Sequence, residues 1–222
     1  MKPFCSLLAI VATLMLTACG GYGDDYRAAC KDGDFDAAHD ILDRLHSRYD
    51  DVRSEYYGSM KWNNDGRARV EAAATQYGTA AKHILTTEAR YLISNNDPDE
   101  VGDMLVNLFN ELQPIGERLP EGTEYHPGGS TDLQQKCADI NCYKEYVAAN
   151  NALADVILDL AIHNNDDDLG IVAMTHYLDE PVLVDMEYVD SKLVYRRAPK
   201  LDMVIKRLNL EPDDTFNVGP GF

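Results

Sequence analysis

The chain has 222 residues, with 38 Asp and Glu against 20 Lys and Arg, and a formal net charge of −18. That excess repels nucleic acid and anionic lipid surfaces, so nucleic-acid binding is set aside, while solubility and cationic partners are favoured. An apolar fraction of 45% with 13 Tyr argues for a packed globule rather than disorder, at a length that makes one ordinary domain or two small ones.

The N-terminus opens Met1-Lys2-Pro3, and an apolar run follows from Phe4 to Leu16. A basic start, a short apolar centre and small residues before a cleavage point are the three parts of a secretory signal. The run is 13 residues long, short of the roughly 17–25 that a membrane-spanning helix needs. It ends in Leu16-Thr17-Ala18-Cys19-Gly20, which resembles the lipobox of bacterial lipoproteins. The resemblance implies a signal peptide over residues 1–18, cleavage before Cys19, a diacylglycerol thioether on the Cys19 sulfur and an acyl chain on the new amino terminus. A lipidated tether over 19–25 and a helical domain over 26–222 would follow. The implied partner is the lipid membrane, reached through acylated Cys19, and the implied location is the cell envelope. Two or more chains anchor stably where one does not, because each buried methylene adds roughly 0.8 kcal/mol. In the sorting pattern of such lipoproteins an Asp after the lipidated Cys favours inner-membrane retention. Gly20 stands there instead, which implies the outer membrane, and Asp24 and Asp25 resemble surface-export signals. Loss of residues 1–18 removes one base, Lys2, and no acid, so the remainder is one unit more acidic than the whole.

Beyond the tether the pattern is helical almost throughout. Phe35, Ala38, Leu42, Leu45, Tyr49 and Val52 alternate at three and four residues, which marks one face of a helix starting at Asp34. Val70, Ala74, Tyr77, Ala81, Ile84, Leu85, Tyr91 and Leu92 repeat the pattern up to Ser94-Asn95-Asn96. Asp97-Pro98-Asp99-Glu100 then supplies an N-cap, a proline at the first helical position and a Glu placed for a capping box. That helix carries Val101, Met104, Leu105, Leu108 and Leu112 and stops before Pro114. A further helix is expected from about Asn141 to His163, with Val147, Leu153, Val156, Ile157 and Leu160 inward. Another follows Asp166 with Leu169, Val172 and Leu178. Two irregular stretches intervene: a turn-rich linker from Tyr56 to Gly66, and a surface loop from Pro114 to about Gly129. In the tail, Val184, Met186 and Tyr188 alternate like a short strand, and Leu201, Val204, Ile205 and Leu208 read as a final helix.

Three junctions look alike: Cys30–Asp36, Ile93–Asp99 and Ile162–Asp168 each join two helices through small polar residues. They suggest three helical hairpins in succession. The first, from Ala28 through Gly33 to Leu42, resembles the inter-helix turn of tetratricopeptide-like repeats, though the 34-residue period and the rest of that signature are missing. The expected fold is all-α: stacked helical hairpins in an irregular right-handed array, with a short strand segment near 182–195.

Apart from the anchor, Cys30, Cys137 and Cys142 remain in the exported part. Five residues of unbroken helix would separate the Cα atoms of Cys137 and Cys142 by about 8–9 Å, beyond the roughly 7 Å a disulfide tolerates. They pair only if Ala138-Asp139-Ile140-Asn141 leaves helical geometry, and Asp139 and Asn141 are both N-cap residue types. Pairing would leave Cys30 free.

Candidate sites are few. The helix from Asp34 puts Asp36, His39, Asp43, His46 and Asp50 on one stripe, where imidazole and carboxylate one turn apart can share a Zn²⁺-like ion. A solvated helix flank accounts for the stripe equally simply. Asn95–Asp99 and Asn164–Asp168 alternate oxygen ligands as calcium loops do, but the sixth and twelfth places counted from Asn164 hold Leu169 and Thr175 instead of Gly and Glu. Helix capping explains both runs. Tyr56, Tyr57 and Trp62 could make a platform for a glycan or peptide, or pin a linker to the core. Ser130 follows Gly128-Gly129 without the nucleophile elbow. There is no zinc-protease motif, phosphate loop or dinucleotide-binding glycine pattern. The expectation is a membrane-anchored, non-catalytic binding or scaffold module without cofactor or metal, meeting a protein, peptide or glycan. The alternative is a metal-dependent or carboxylate hydrolase built on Asp36, His39, Asp43 and His46.

Overall fold

The junction at Gly33 shows how short polar sequences set the helix boundaries. In the computed structural model, which describes residues 25–58, 64–125, 131–186 and 190–209, helix α1 (25–32) ends at Gly33, whose φ of 75° is left-handed. The Asp34 amide donates back to the Ala29 carbonyl at 2.9 Å, a closure that satisfies an end carbonyl and favours a residue without Cβ. The Asp34 carboxylate accepts from the Ala37 amide at 3.1 Å and starts α2 (Phe35–Gly58). The same device recurs where α5 (Thr131–Asn164) meets α6 (Asp167–Thr175). Asn165 is left-handed at φ 53°, and the Asp166 amide donates to Ala161 at 2.9 Å. The Asp166 carboxylate accepts from the Leu169 amide at 2.9 Å, so this oxygen caps a helix. Between the two, α3 (Asn64–Asn95) turns into α4 (Pro98–Asn107), with Pro98 as its first residue.

The long helices pack around α3. Helix α2 runs antiparallel to it, with Arg69 paired to Glu55 at 2.8 Å near one end and His39 to Glu88 at 2.6 Å near the other. Helix α5 runs parallel to α3 at a constant offset of 70 residues: Asn141 donates to Glu71 at 2.8 Å and Thr75 to Glu145 at 3.0 Å. The expected apolar face of α3 is buried at Val70, Ala74, Tyr77, Ala81, Ile84 and Leu85. Ala73 and Ala80 are buried too, and Gly78 meets α5 so closely that a Cβ there would lie 2.9 Å from Glu145 Cβ. Tyr91 and Met104, expected inward, are exposed; Tyr91 tilts against Phe35 with ring centroids 5.3 Å apart. Among the described residues, no helix is long and apolar enough to cross a membrane.

Several boundaries differ from the sequence reading: α3 already begins at Asn64 inside the expected linker, α4 stops at Asn107 short of Leu112, and α6 stops at Thr175 short of Leu178. Helix α2 continues through Tyr56 and Tyr57 to Gly58, and α5 begins at Thr131 rather than near Asn141. The early start of α5 removes the condition for a disulfide. The helix passes unbroken through Cys137 and Cys142, and those thiols, like that of Cys30, are free and buried. Asp139 and Asn141 do not cap a new helix. Asp139 accepts from Arg53 of α2 at 3.3 Å, and Asn141 reaches Glu71 of α3.

The fold is all-α with a small antiparallel sheet. After α4, a 3₁₀ turn (Leu108–Glu111) leads into extended chain and β1 (Glu124–Tyr125). Strands β2 (Glu180–Met186) and β3 (Asp190–Arg196) form a hairpin, and the order is β1-β3-β2. The register sets Leu183 opposite Leu193 and Val184 opposite Lys192. Leu193 is buried beside Leu119 and Ile140, with Leu183 packed on them, while Val184 is exposed. Leu183 rather than Val184 therefore faces this small core, and Tyr188 of the expected alternation lies outside the described residues. The expected last helix is α7 (Pro199–Leu208), which buries Leu201, Val204 and Leu208.

The segment after the 3₁₀ turn is held by tyrosine hydroxyls. Tyr77 donates to the Gln113 carbonyl at 2.9 Å and accepts from the Gln113 amide at 2.8 Å. Tyr49 accepts from the Gly116 amide at 2.9 Å. Gly116 is left-handed at φ 74°, and a Cβ there would lie 2.4 Å from the Tyr143 amide and 2.5 Å from the Asp139 carbonyl. Gly116→Ala is expected to lower stability by about 2 kcal/mol or more, through strain and a lost Tyr49 bond. Urea unfolding checks this as a lower midpoint at unchanged slope.

Candidate functional site

The histidine stripe of α2 is divided among packing contacts. His39 Nε2 lies 2.6 Å from Glu88 Oε2, and its Nδ1 lies 3.8 Å from Glu111. Asp43 accepts from Gln113 at 3.4 Å. His46 sets Nε2 3.4 Å from the Pro114 carbonyl and Nδ1 3.3 Å from Asp50, with its ring edge-on to Tyr77 at 5.3 Å. Asp36 and Asp50 are exposed. The stripe thus docks residues 111–114 onto the α2–α3 pair. Among the described residues, no group of three His, Cys, Asp or Glu side chains is arranged to hold a metal ion.

The aromatic pair is part of the core. Tyr56 is buried, Tyr57 stands edge-on to it at 5.5 Å, and the Arg53 guanidinium covers Tyr57 at 4.7 Å. The Tyr57 hydroxyl donates to the Gln135 carbonyl at 3.5 Å, tying α2 to α5. Trp62, Ser130 and the whole lipobox with Cys19 lie outside the described residues.

Two buried asparagines that the sequence did not single out fix the chain leaving α6. Asn151 donates to the Leu178 carbonyl at 2.8 Å and accepts from its amide at 2.9 Å, while Asn150 donates to the His176 carbonyl at 2.6 Å. Adjacent Asn residues inside an apolar helical stretch are the signal that could have marked them, since buried amides require partners. The His176 ring then stacks on Phe109 at 4.2 Å and 6°.

A different surface gathers positive charge. One face of α3 carries Thr79, Lys82, His83, Thr86 and Arg90 at three- and four-residue spacing, and these residues line a cleft of about 540 Å³. Helix α1 contributes Tyr26 and Arg27, α5 contributes Ala152, Asp155, Val156 and Asp159, and α7 contributes Lys200. The volume falls within the roughly 300–1,000 Å³ of small-molecule sites. Tyr26 is buried and meets the His83 ring edge-on at 5.5 Å, with Arg27 5.7 Å from the Tyr26 ring centre. Lys200 lies 2.9 Å from Asp155 and 3.2 Å from Asp159, and Asp155 also accepts from the Tyr177 hydroxyl at 2.9 Å. Lys200 therefore offsets one of the two carboxylate charges in that corner. No described carboxylate pairs with Arg27, Lys82 or Arg90. Partial burial, with Arg27 and Arg90 nearby, holds His83 below its ordinary value. Four cations against two carboxylates make the lining net positive in a chain of net −18. Each wall comes from a different part of the sequence, so only the α3 spacing was there to be read.

The chain matches no family model, no curated protein and no solved structure.

The stripe carries a measurable proton linkage. The hydrogen bond that His39 donates to Glu88 outweighs burial and raises His39 above its ordinary 6.5. A raised folded-state value means that the stabilisation is fully present below pH 6.5 and is lost as pH rises through the raised value. His39→Gln should therefore lose more stability at mildly acidic pH than in the alkaline range, read from urea midpoints at both. His83 and His176 shift the opposite way but are common to both proteins and cancel in the comparison.

Proposed function

We propose that the chain is a lipid-anchored, non-catalytic binding module of the bacterial cell envelope, held in the outer membrane by acylated Cys19. Its ligand enters the cleft between α1, α3, α5 and α7. The observation that carries the binding reading is that cleft: an open cavity of ligand size in which Arg27, Lys82 and Arg90 have no described carboxylate partner. The His and Asp groups of the α2 stripe support it indirectly, because they are engaged in holding residues 111–114. The anchor reading is supported by Leu16-Thr17-Ala18-Cys19 following an apolar run too short to span a bilayer.

Growth with a palmitate analogue should label the wild-type chain and send it to the detergent phase on temperature-induced partitioning. Cys19→Ala should lose the label and run as the longer, uncleaved chain. A label that survives Cys19→Ala would overturn the anchor.

A further inference from the structure

The cleft faces a particular chemical environment once the chain is tethered as proposed above. Tyr26, which forms part of its lining, is seven residues after Cys19. A fully extended chain spans at most about 3.6 Å per residue, so that distance cannot exceed roughly 25 Å. The cleft would then stand within reach of the headgroup layer, where the fixed anions are phosphates.

We propose that the cleft binds a phosphate-bearing group through Arg27, Lys82 and Arg90; this rests on the lipid-anchored reading. Arg27, Lys82 and Arg90 line one cleft in which the described carboxylates, Asp155 and Asp159, are held by Lys200, and like charges sharing a cleft repel one another. An anion seated among them removes that repulsion and gains charge-assisted hydrogen bonds. The planar guanidiniums of Arg27 and Arg90 match the paired oxygens of a phosphate, and the Lys82 ammonium adds a mobile point charge. The Thr79 hydroxyl on the same face can donate to a remaining oxygen. Lys200 holds Asp155 and Asp159, so their charge opposes the anion less than two free carboxylates would. The phosphate can belong to a soluble phosphorylated molecule or to a lipid headgroup. The negative exterior disfavours a broad membrane contact, which leaves capture of single groups.

Calorimetric titration of the full chain with inorganic pyrophosphate, and cosedimentation with phosphatidylcholine vesicles with and without phosphatidic acid, test this. The Cys19→Ala chain is used in both so that acyl chains make no contribution, and the cleft variants are read in that same background because the apolar run Phe4–Leu16 is common to all of them. Binding in either arm is expected, weakened roughly tenfold or more by Arg90→Gln or Lys82→Gln, and left intact by Arg69→Gln, whose cation pairs with Glu55 outside the cleft. Pyrophosphate binding alone assigns a soluble ligand, and vesicle binding that requires phosphatidic acid assigns a headgroup. No binding in either arm, or binding that survives both cleft variants, would overturn the proposal. Palmitate labelling of the wild type is scored separately, so a failed cleft and a failed anchor give different results.

Discussion

Helix α3 is covered along two faces, and that requirement organises the rest of the molecule. Helices α2 and α5 both pack against it in one core, and Gly78 lets α5 approach closely. The second neighbour lies parallel, and parallel helices cannot be joined by a tight turn. A helix of 32 residues is about 48 Å long at 1.5 Å per residue, so the chain must travel back that far before α5 starts. Helix α4, the 3₁₀ turn, residues 112–123 and β1 make this return. It crosses α2 and α3, which explains why Tyr77, Tyr49, Asp43 and His46 all bond to residues 113–116. The α2 histidines look like a site because they form the polar edge against which a returning segment rests.

What was legible in the sequence is what depends on neighbours along the chain. The helical faces followed from three-four spacing, and the junctions at Gly33-Asp34 and Asn165-Asp166 from residues that take a left-handed turn and then cap. What stayed hidden depends on partners far away. Asp139 is a good cap by type, yet its partner is Arg53, 86 residues earlier, and nothing local separates a cap from a buried ion pair. The start of α5 was missed for the same reason, since Asp139 and Asn141, cap types in the sequence, bond instead to Arg53 of α2 and Glu71 of α3. In the sheet, both Leu183 and Val184 are apolar, and only the contact of Leu193 with Leu119 and Ile140 decides which points inward.

The cleft was hidden more thoroughly. Its α3 residues make an ordinary polar face, and they acquire meaning only because α1 and α7 form the other walls. Its electrostatics also run against the composition. A net negative chain keeps most anions at a distance, while positive charge gathered along one cleft gives a local field of the opposite sign. Selectivity of that kind rejects extended anionic surfaces and admits a compact one, and it needs no residue that composition alone would flag.

The constant 70-residue offset between α3 and α5 also sets an order of assembly. Helices α2 and α3 are separated by only a few residues, so their pairing closes a short loop, whereas α3 meets α5 across a much longer one. With loop-closure entropy growing as the logarithm of length, the second contact costs roughly 2 kcal/mol more than the first. The α2–α3 hairpin can therefore form while the chain is still incomplete, leaving the Gly78 side of α3 bare. Strand β1 waits longer still, because its only described partner, β3, lies more than 60 residues further on. A chain emerging from its N-terminus would spend its early life as an antiparallel pair with one apolar flank uncovered.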